Sequence, residues 1–185
     1  NLFEGFSGDS GKEVTFASLL EDLGVPFTGN PSVALGMCLD KAKAKQRLAR
    51  RGISVPRGVF LVRLEGAPWK GMQFPLFVKP CHEDGSVGVG MDSLIEDAEG
   101  IEAVLRRKLA EFPRGILLEE FIPGKEFSVG FIGTPPYEVL GVSMIDYSLH
   151  KKSLPFLHYG SKWDPLCNEF HEILPVLEEG IAPSL

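Results

Sequence analysis

Lys79 closes the apolar run FPLFVK (74–79), and after Pro80 the chain continues Glu83-Asp84-Gly85-Ser86-Val87-Gly88-Val89-Gly90. Glycines at 85, 88 and 90 let backbone amides approach an anion closely, because no Cβ stands in the way, and Ser86 adds a hydroxyl donor. A lysine ending the adjacent strand brings positive charge to the same place, so the pair reads as a phosphate-binding unit. The spacing is neither a Walker loop nor the dinucleotide fingerprint, since no helix opens directly after the glycines. A hairpin whose glycines serve only the turn is the competing reading, and the loop by itself does not separate the two.

A second segment, Leu118-Glu119-Glu120-Phe121-Ile122, leads to Gly124 and Glu126. On a strand, alternation points Glu119 and Phe121 to one face and Glu120 and Ile122 to the other. Such a segment can clasp a flat aromatic base, with backbone groups at its polar edge, while Glu126 accepts hydrogen bonds from ribose hydroxyls. An edge strand with solvated glutamates is the commoner case and stays open. Lys41 begins the basic stretch KAKAKQRLARR, where composition favours a solvated lysine among Lys43, Lys45 and Arg47. Lys162-Trp163 reads equally as a lid element or as surface. His82, His150, His158 and His171 have no zinc-ligand spacing, and no nucleophile elbow or Ser–His–Asp order is present. Cys81 reads as packed rather than reactive, and Glu4 as a solvated acid or one facing a substrate amine.

These residues need a scaffold. The chain has 185 residues, 44% of them apolar and 24% charged, which suits one domain or one and a half compact units. A net charge of -6 argues against a protein held on a nucleic-acid backbone or an anionic membrane. No apolar run reaches the ~18 residues of a spanning helix. Three scattered cysteines give neither a disulfide framework nor a zinc site, so a reduced, cytoplasmic protein is the expectation. The opening Asn-Leu-Phe carries no leader and reads as internal to a longer product.

Periodicity predicts a helix over 13–23 capped by Gly24, an extended piece over 25–28, and a turn at Gly29-Asn30-Pro31. Asp40 is the expected N-cap of a helix that ends at Gly52. Residues 57–62 and 74–79 read as buried strands. A helix is predicted over 97–112, with Asp97 as its cap. Strands over 116–122, 125–132 and 137–145, separated by Pro-Gly and Pro-Pro, read as antiparallel neighbours. From Asp146 on, the pattern predicts a long irregular tail. The class is α+β, without Rossmann alternation.

Read together, LDK (39–41), FPLFVKP (74–80), EDGSVGVG (83–90), LLEEFIPGKEF (117–127) and GSKW (160–163) resemble the ATP-grasp family, most closely D-alanine–D-alanine ligases. Order and spacing agree over nearly the whole chain, and LGVPFTG (23–29) resembles the stretch before the LDK helix. The resemblance implies an ATP-grasp fold: a central nucleotide-binding antiparallel sheet with helices, over 35–185. Residues 1–34 are then the end of an α/β substrate-binding domain.

For the site, the resemblance implies Lys41 and Lys79 at the nucleotide phosphates, and Glu83, Ser86, Val87 and Gly88 in the loop closing over them. It implies Glu119, Glu120, Phe121 and Ile122 around adenine and Glu126 at the ribose, with Ser86 and Lys162 completing the catalytic site. The implied chemistry joins two amino acids through an acyl phosphate, releasing ADP and phosphate, in peptidoglycan synthesis. It implies amino-acid substrates, no nucleic-acid or membrane partner, and leaves a homodimer open. Two departures stand out. Gly85-Ser86 occupies a place where many such ligases have paired serines, so another amino acid or a small peptide is an open alternative. No Glu-x-Asn occurs, so the ligands of the implied Mg²⁺ are expected outside this segment, and none is assigned within it. A non-catalytic nucleotide-binding module is the alternative reading.

Overall fold

The computed structural model describes residues 3, 5, 9–150 and 156–178; Glu4 lies outside them. The chain divides into two compact units, Asn1–Phe121 and Ile122–Leu185.

In the first unit, α1 (Gly11–Asp22) ends where Gly24 turns the chain at φ +63°, a conformation that costs glycine nothing sterically. Residues 25–28 join no strand. A helix the pattern does not announce follows, α2 (Ser32–Leu39), with Pro31 as its N-cap. Its sequence, SVALGMCL, is nearly uniformly apolar and so shows no amphipathic period. Asp40 caps α3 (Lys41–Arg50) as expected, its carboxylate accepting from the Lys43 amide at 3.0 Å.

Four strands follow: β1 (Gly58–Leu61), β2 (Leu76–Pro80), β3 (Leu94–Ile95) and β4 (Ile116–Glu120). Their order is β1-β4-β2-β3, with every pairing antiparallel. The helix expected over 97–112 is shorter, α4 (Ile101–Glu111). Gly100, at φ +73°, precedes it, and the Asp97 carboxylate holds the Glu99 amide at 2.7 Å in a turn instead of capping the helix.

The expected neighbour relation of 116–122 with 125–132 is also corrected. β4 enters the middle of the first sheet, because Ile116, Leu117 and Leu118 are apolar toward both faces and require cover on both. Ile116 and Leu118 join Leu76, Val78, Ile101 and Leu105 in the core between sheet and α4. Burying each such side chain contributes roughly 1.5–3 kcal/mol. The register pairs Lys79 with Leu117 and Phe77 with Glu119. Pairing and alternation therefore place Lys79 and Glu119 together on the other face.

The second unit holds β5 (Phe127–Ile132), β6 (Glu138–Asp146) and β7 (Leu174–Leu177), an antiparallel meander with a bulge at Gly130/Phe131. The tail expected to be irregular contains β7 and two short helices, α5 (Tyr159–Trp163) and α6 (Asn168–Glu172). Local capping explains α5 where periodicity is absent: His158 accepts from the Ser161 amide, and Ser161 Oγ accepts from the His158 amide at 2.9 Å. Among the described residues, no helix is long and apolar enough to cross a membrane.

Candidate nucleotide site

Lys79 stands on β2, facing away from the core, and its Nζ is 2.7 Å from Glu119 Oε2. Lys45, one turn along α3 from Lys41, places its Nζ 2.6 Å from Glu119 Oε1. Glu119 is therefore a buried, doubly paired carboxylate on a central strand, and the solvated-edge reading is overturned. Burial raises its pKa, but the Lys79 and Lys45 charges and hydrogen bonds outweigh that, so the carboxyl sits below its ordinary range.

Lys41 is half-buried rather than solvated. Its ammonium donates to the carbonyl of Glu83, where the glycine-rich loop begins. Burial and then the neighbouring Lys79 charge press its pKa below the ordinary lysine value. Lys41, Lys45, Lys79 and Glu119 line one cleft of about 210 Å³, closed on its apolar side by Leu48, Val55 and Leu117. Several cations against one carboxylate leave this cleft electropositive, the condition for holding an anion.

The loop is shaped in two halves. Val87 N donates to Asp84 O at 2.8 Å and Val89 N to Ser86 O at 3.0 Å, which gives two successive tight turns. Gly85, Ser86 and Gly88 all have positive φ; Ser86, at 65°, is the non-glycine residue with that conformation among those described. The second half is anchored. A Cβ on Gly88 would fall 2.4 Å from the Phe112 ring and 2.5 Å from Pro80 Cγ. The buried Lys108 donates to Gly88 O at 2.8 Å and meets Asp92 Oδ1 at 3.2 Å. The first half is braced by Ser10, whose hydroxyl donates to Asp84 Oδ1 at 3.1 Å.

Glu120 faces elsewhere: its carboxylate accepts from the Gln73 amide at 2.9 Å, with Arg57 Nη1 at 3.5 Å. The amides of Glu120 and Phe121 are already engaged, donating to Arg57 O and Pro75 O. Phe121 lies against Phe77, ring centroids 6.0 Å apart. Ile122, Glu126 and Lys162 belong to the second unit. There Glu126 accepts from Tyr147 Oη at 2.9 Å, which together with burial pushes the phenol pKa upward. Lys162 is exposed on α5.

The structure thus gathers Lys41, Lys79, Glu83 and Glu119, and adds two lysines that sequence reasoning missed, Lys45 and Lys108. Only their helical phase hinted at a role: Lys45 follows Lys41 by one turn, and Lys108 follows Leu105 on the buried side of α4. Clustered metal-type donors occur among the described residues as Asp40, Cys81 and His82, and as His158, Cys167 and Glu169. Both sets mix sulfur and nitrogen with oxygen, unlike the oxygen sets that Mg²⁺ takes.

Residues 66–174 match the family model described as D-ala D-ala ligase C-terminus. A D-alanine–D-alanine ligase of a Caulobacter species is 32% identical over 162 residues, 88% of this chain and 48% of that protein. The D-alanine–D-alanine ligase of Chromohalobacter salexigens is 31% identical over 137 residues, covering 71% and 41%. The chain spans about half the length of the curated relatives it matches. Among solved structures, the Bacillus anthracis D-alanine–D-alanine ligase complexed with ATP superposes with a TM-score of 0.67 at 23% identity, covering 94% of this chain and 50% of that one. The VanG D-Ala:D-Ser ligase of Enterococcus faecalis gives a TM-score of 0.66 at 26% identity, covering 81% and 45%. The fold is that of the ATP-grasp ligases.

Proposed function

The chain belongs to the family of D-ala D-ala ligase C-terminal domains, and on that premise we propose that it binds ATP in an ATP-dependent carboxylate–amine ligase. The observation that carries the reading is the pairing of Lys41 and Lys79 in one electropositive cleft, with Lys41 touching the start of the glycine loop. In the proposed reaction a substrate carboxylate oxygen attacks the γ-phosphorus and ADP leaves. An amine then attacks the acyl carbon, loses a proton and expels phosphate, leaving an amide.

Lys41 and Lys79 stabilise charge on the phosphoryl oxygens, which is where such reactions need help most. The loop amides and the Ser86 hydroxyl add donors and exclude water, which would otherwise hydrolyse the acyl phosphate. The segment 119–122 meets the base. Because the Glu120 and Phe121 amides are engaged, donors to the base come from Ile122 onward. Glu126 takes the ribose hydroxyls, and Lys162 joins the phosphates from α5. Mg²⁺ would neutralise phosphate charge when bound; neither clustered donor set here suits it, and its ligands are assigned outside this segment. Residues 1–34 are assigned to a substrate-binding domain and 35–185 to the ATP-grasp domain. An ATP-dependent reaction and three free cysteines accord with the cytoplasm.

Titrating ATP against the protein and its Lys79→Met variant tests this. Binding that is lost in the variant supports the assignment, and unchanged affinity ends it. Gly85 beside Ser86 leaves a single hydroxyl at the loop tip, so the amine substrate is sought by screening D- and L-amino acids for ADP release.

A further inference from the structure

Cys81 and His82 take no part in the cleft described above, yet the fold brings them beside Asp40, the cap of α3, in one part-buried group at the junction of α3 and the end of β2. Asp40 comes from the α3 N-cap. Cys81 and His82 directly follow β2, and the Lys41 amide donates to Cys81 O at 3.1 Å, which locks the two segments together. Cys81 is fully buried, and the side chains of His82 and Asp40 are mostly so. Their candidate ligand atoms all lie within 4.8 Å of one another. Cys81 Sγ is 3.8 Å from Asp40 Oδ1, and His82 Nε2 is 3.5 Å from Asp40 Oδ2.

We propose that Asp40, Cys81 and His82 form a zinc site that clips the start of α3 to the end of β2. Bond lengths of ordinary tetrahedral zinc give donor separations of about 3.3 Å between nitrogen and oxygen and about 3.5 Å between sulfur and oxygen. The two close approaches reach different oxygens of Asp40, 3.8 Å from Cys81 Sγ to Oδ1 and 3.5 Å from His82 Nε2 to Oδ2. One oxygen, the sulfur and the ring nitrogen all lie within 4.8 Å of one another, so a turn of the Asp40 carboxylate with an inward shift of the donors by up to about an ångström closes the site. The donor set, one thiolate, one imidazole and one carboxylate, selects a borderline-soft ion over Mg²⁺ or Ca²⁺. Three protein donors leave the fourth position to water.

Binding needs two displacements, and both have somewhere to go. The Cys81 thiol proton passes to solvent as the sulfur–metal bond forms. The Lys43 ammonium, 3.0 Å from Asp40 Oδ2, leaves the carboxylate; its side chain is 71% exposed and is readily hydrated. Asp40 precedes Lys41 and Cys81 follows Lys79 by two residues, so occupancy fixes the spacing of the two cleft cations. The site stands independently of the ligase reading.

The test uses metal-free protein in a Cys38→Ser/Cys167→Ser background, which removes the other thiols, one of them in the second donor group. Zinc alone is titrated calorimetrically, and Co²⁺ serves as the spectroscopic probe. Expected are uptake of one zinc per chain in excess Mg²⁺, a thiolate-to-cobalt charge-transfer band, and a zinc-dependent rise in Tm. Cys81→Ser and His82→Gln should each weaken zinc by at least about tenfold, with circular dichroism confirming the fold. If Cys81→Ser fails to fold, His82→Gln decides. No uptake, a cobalt complex without the thiolate band, or affinity unchanged in His82→Gln would overturn the proposal.

Discussion

The two oxygens of the Glu119 carboxylate are divided between two lysines, Lys79 at 2.7 Å from Oε2 and Lys45 at 2.6 Å from Oε1. Replacing Glu119 by Gln keeps the shape and leaves two ammonium groups facing a neutral amide. Because Lys79 keeps 30% of its side-chain surface exposed, solvent screens part of the effect, and a loss of about 1–3 kcal/mol is expected. The folded-state pKa of Glu119 is depressed below the ordinary 4.5, so its contribution is present above that value and disappears as pH falls through the folded value. Urea midpoints of wild type and Glu119→Gln should differ at neutral pH and converge in acid. A gap that persists into strong acid would show that the charge is not its source.

Sharing Glu119 also bears on how Lys79 can turn to a phosphate. When Lys79 leaves, the carboxylate remains neutralised by Lys45, whose side chain lies mostly buried beside it. In Lys45→Met, recruiting Lys79 would strand an unpaired buried carboxylate, so ATP affinity should fall by about tenfold, the equivalent of ~1.4 kcal/mol. Lys45→Arg should recover most of it. Wild-type ATP affinity in Lys45→Met, measured calorimetrically, would confine Lys45 to a structural role.

How much of this was legible in the sequence follows from where each signal resides. The Asp40 cap and the strands around 76–80, 116–120, 127–132 and 138–146 depend on local chemistry and apolar runs, and they are found where expected. The α2 helix leaves no periodic signal because SVALGMCL has no polar face, and the start of α4 lies later than its cap residue predicts because Gly100 interrupts the turn begun at Asp97. The place of β4 depends on pairing with strands distant in sequence, which proline and glycine punctuation cannot encode. The lysines show the same limit. KAKAKQRLARR looks solvated as a string, yet Lys41 and Lys45 turn inward because a loop carbonyl and a buried carboxylate await them in the tertiary structure.

The glycine loop is held at its second half, and that hold can be measured. Gly88→Ala combines a left-handed φ of +72° with a methyl driven into Phe112 and Pro80. The expected cost is about 2–4 kcal/mol. Gly71→Ala, with φ +80° but nothing within 4 Å of its Cβ, should cost only about 1–2 kcal/mol. Lys108→Met removes the donor to Gly88 O and should speed hydrogen exchange of the Val89 amide, which bonds Ser86 within the same turn. Equal losses in the two alanine variants would mean that the Phe112 contact carries no weight.

Ser86 holds φ 65° although it has a Cβ, a conformation that costs a non-glycine residue about 1–3 kcal/mol. If the turn binds phosphate as proposed, a hydroxyl kept in a strained position at its tip sets stability and activity against one another there. Ser86→Gly should therefore raise stability by about 1 kcal/mol, since the relief is offset by the greater freedom of glycine in the unfolded chain. The same variant should slow ATP-dependent ligation, because the donor is gone. Ser86→Ala separates the two effects: it retains the strain, leaves stability near wild type, and loses the same rate. Urea unfolding and ADP release, measured on all three proteins, give four comparisons. Full ligation activity in Ser86→Ala would remove the hydroxyl from the mechanism and leave the left-handed turn as the loop's contribution.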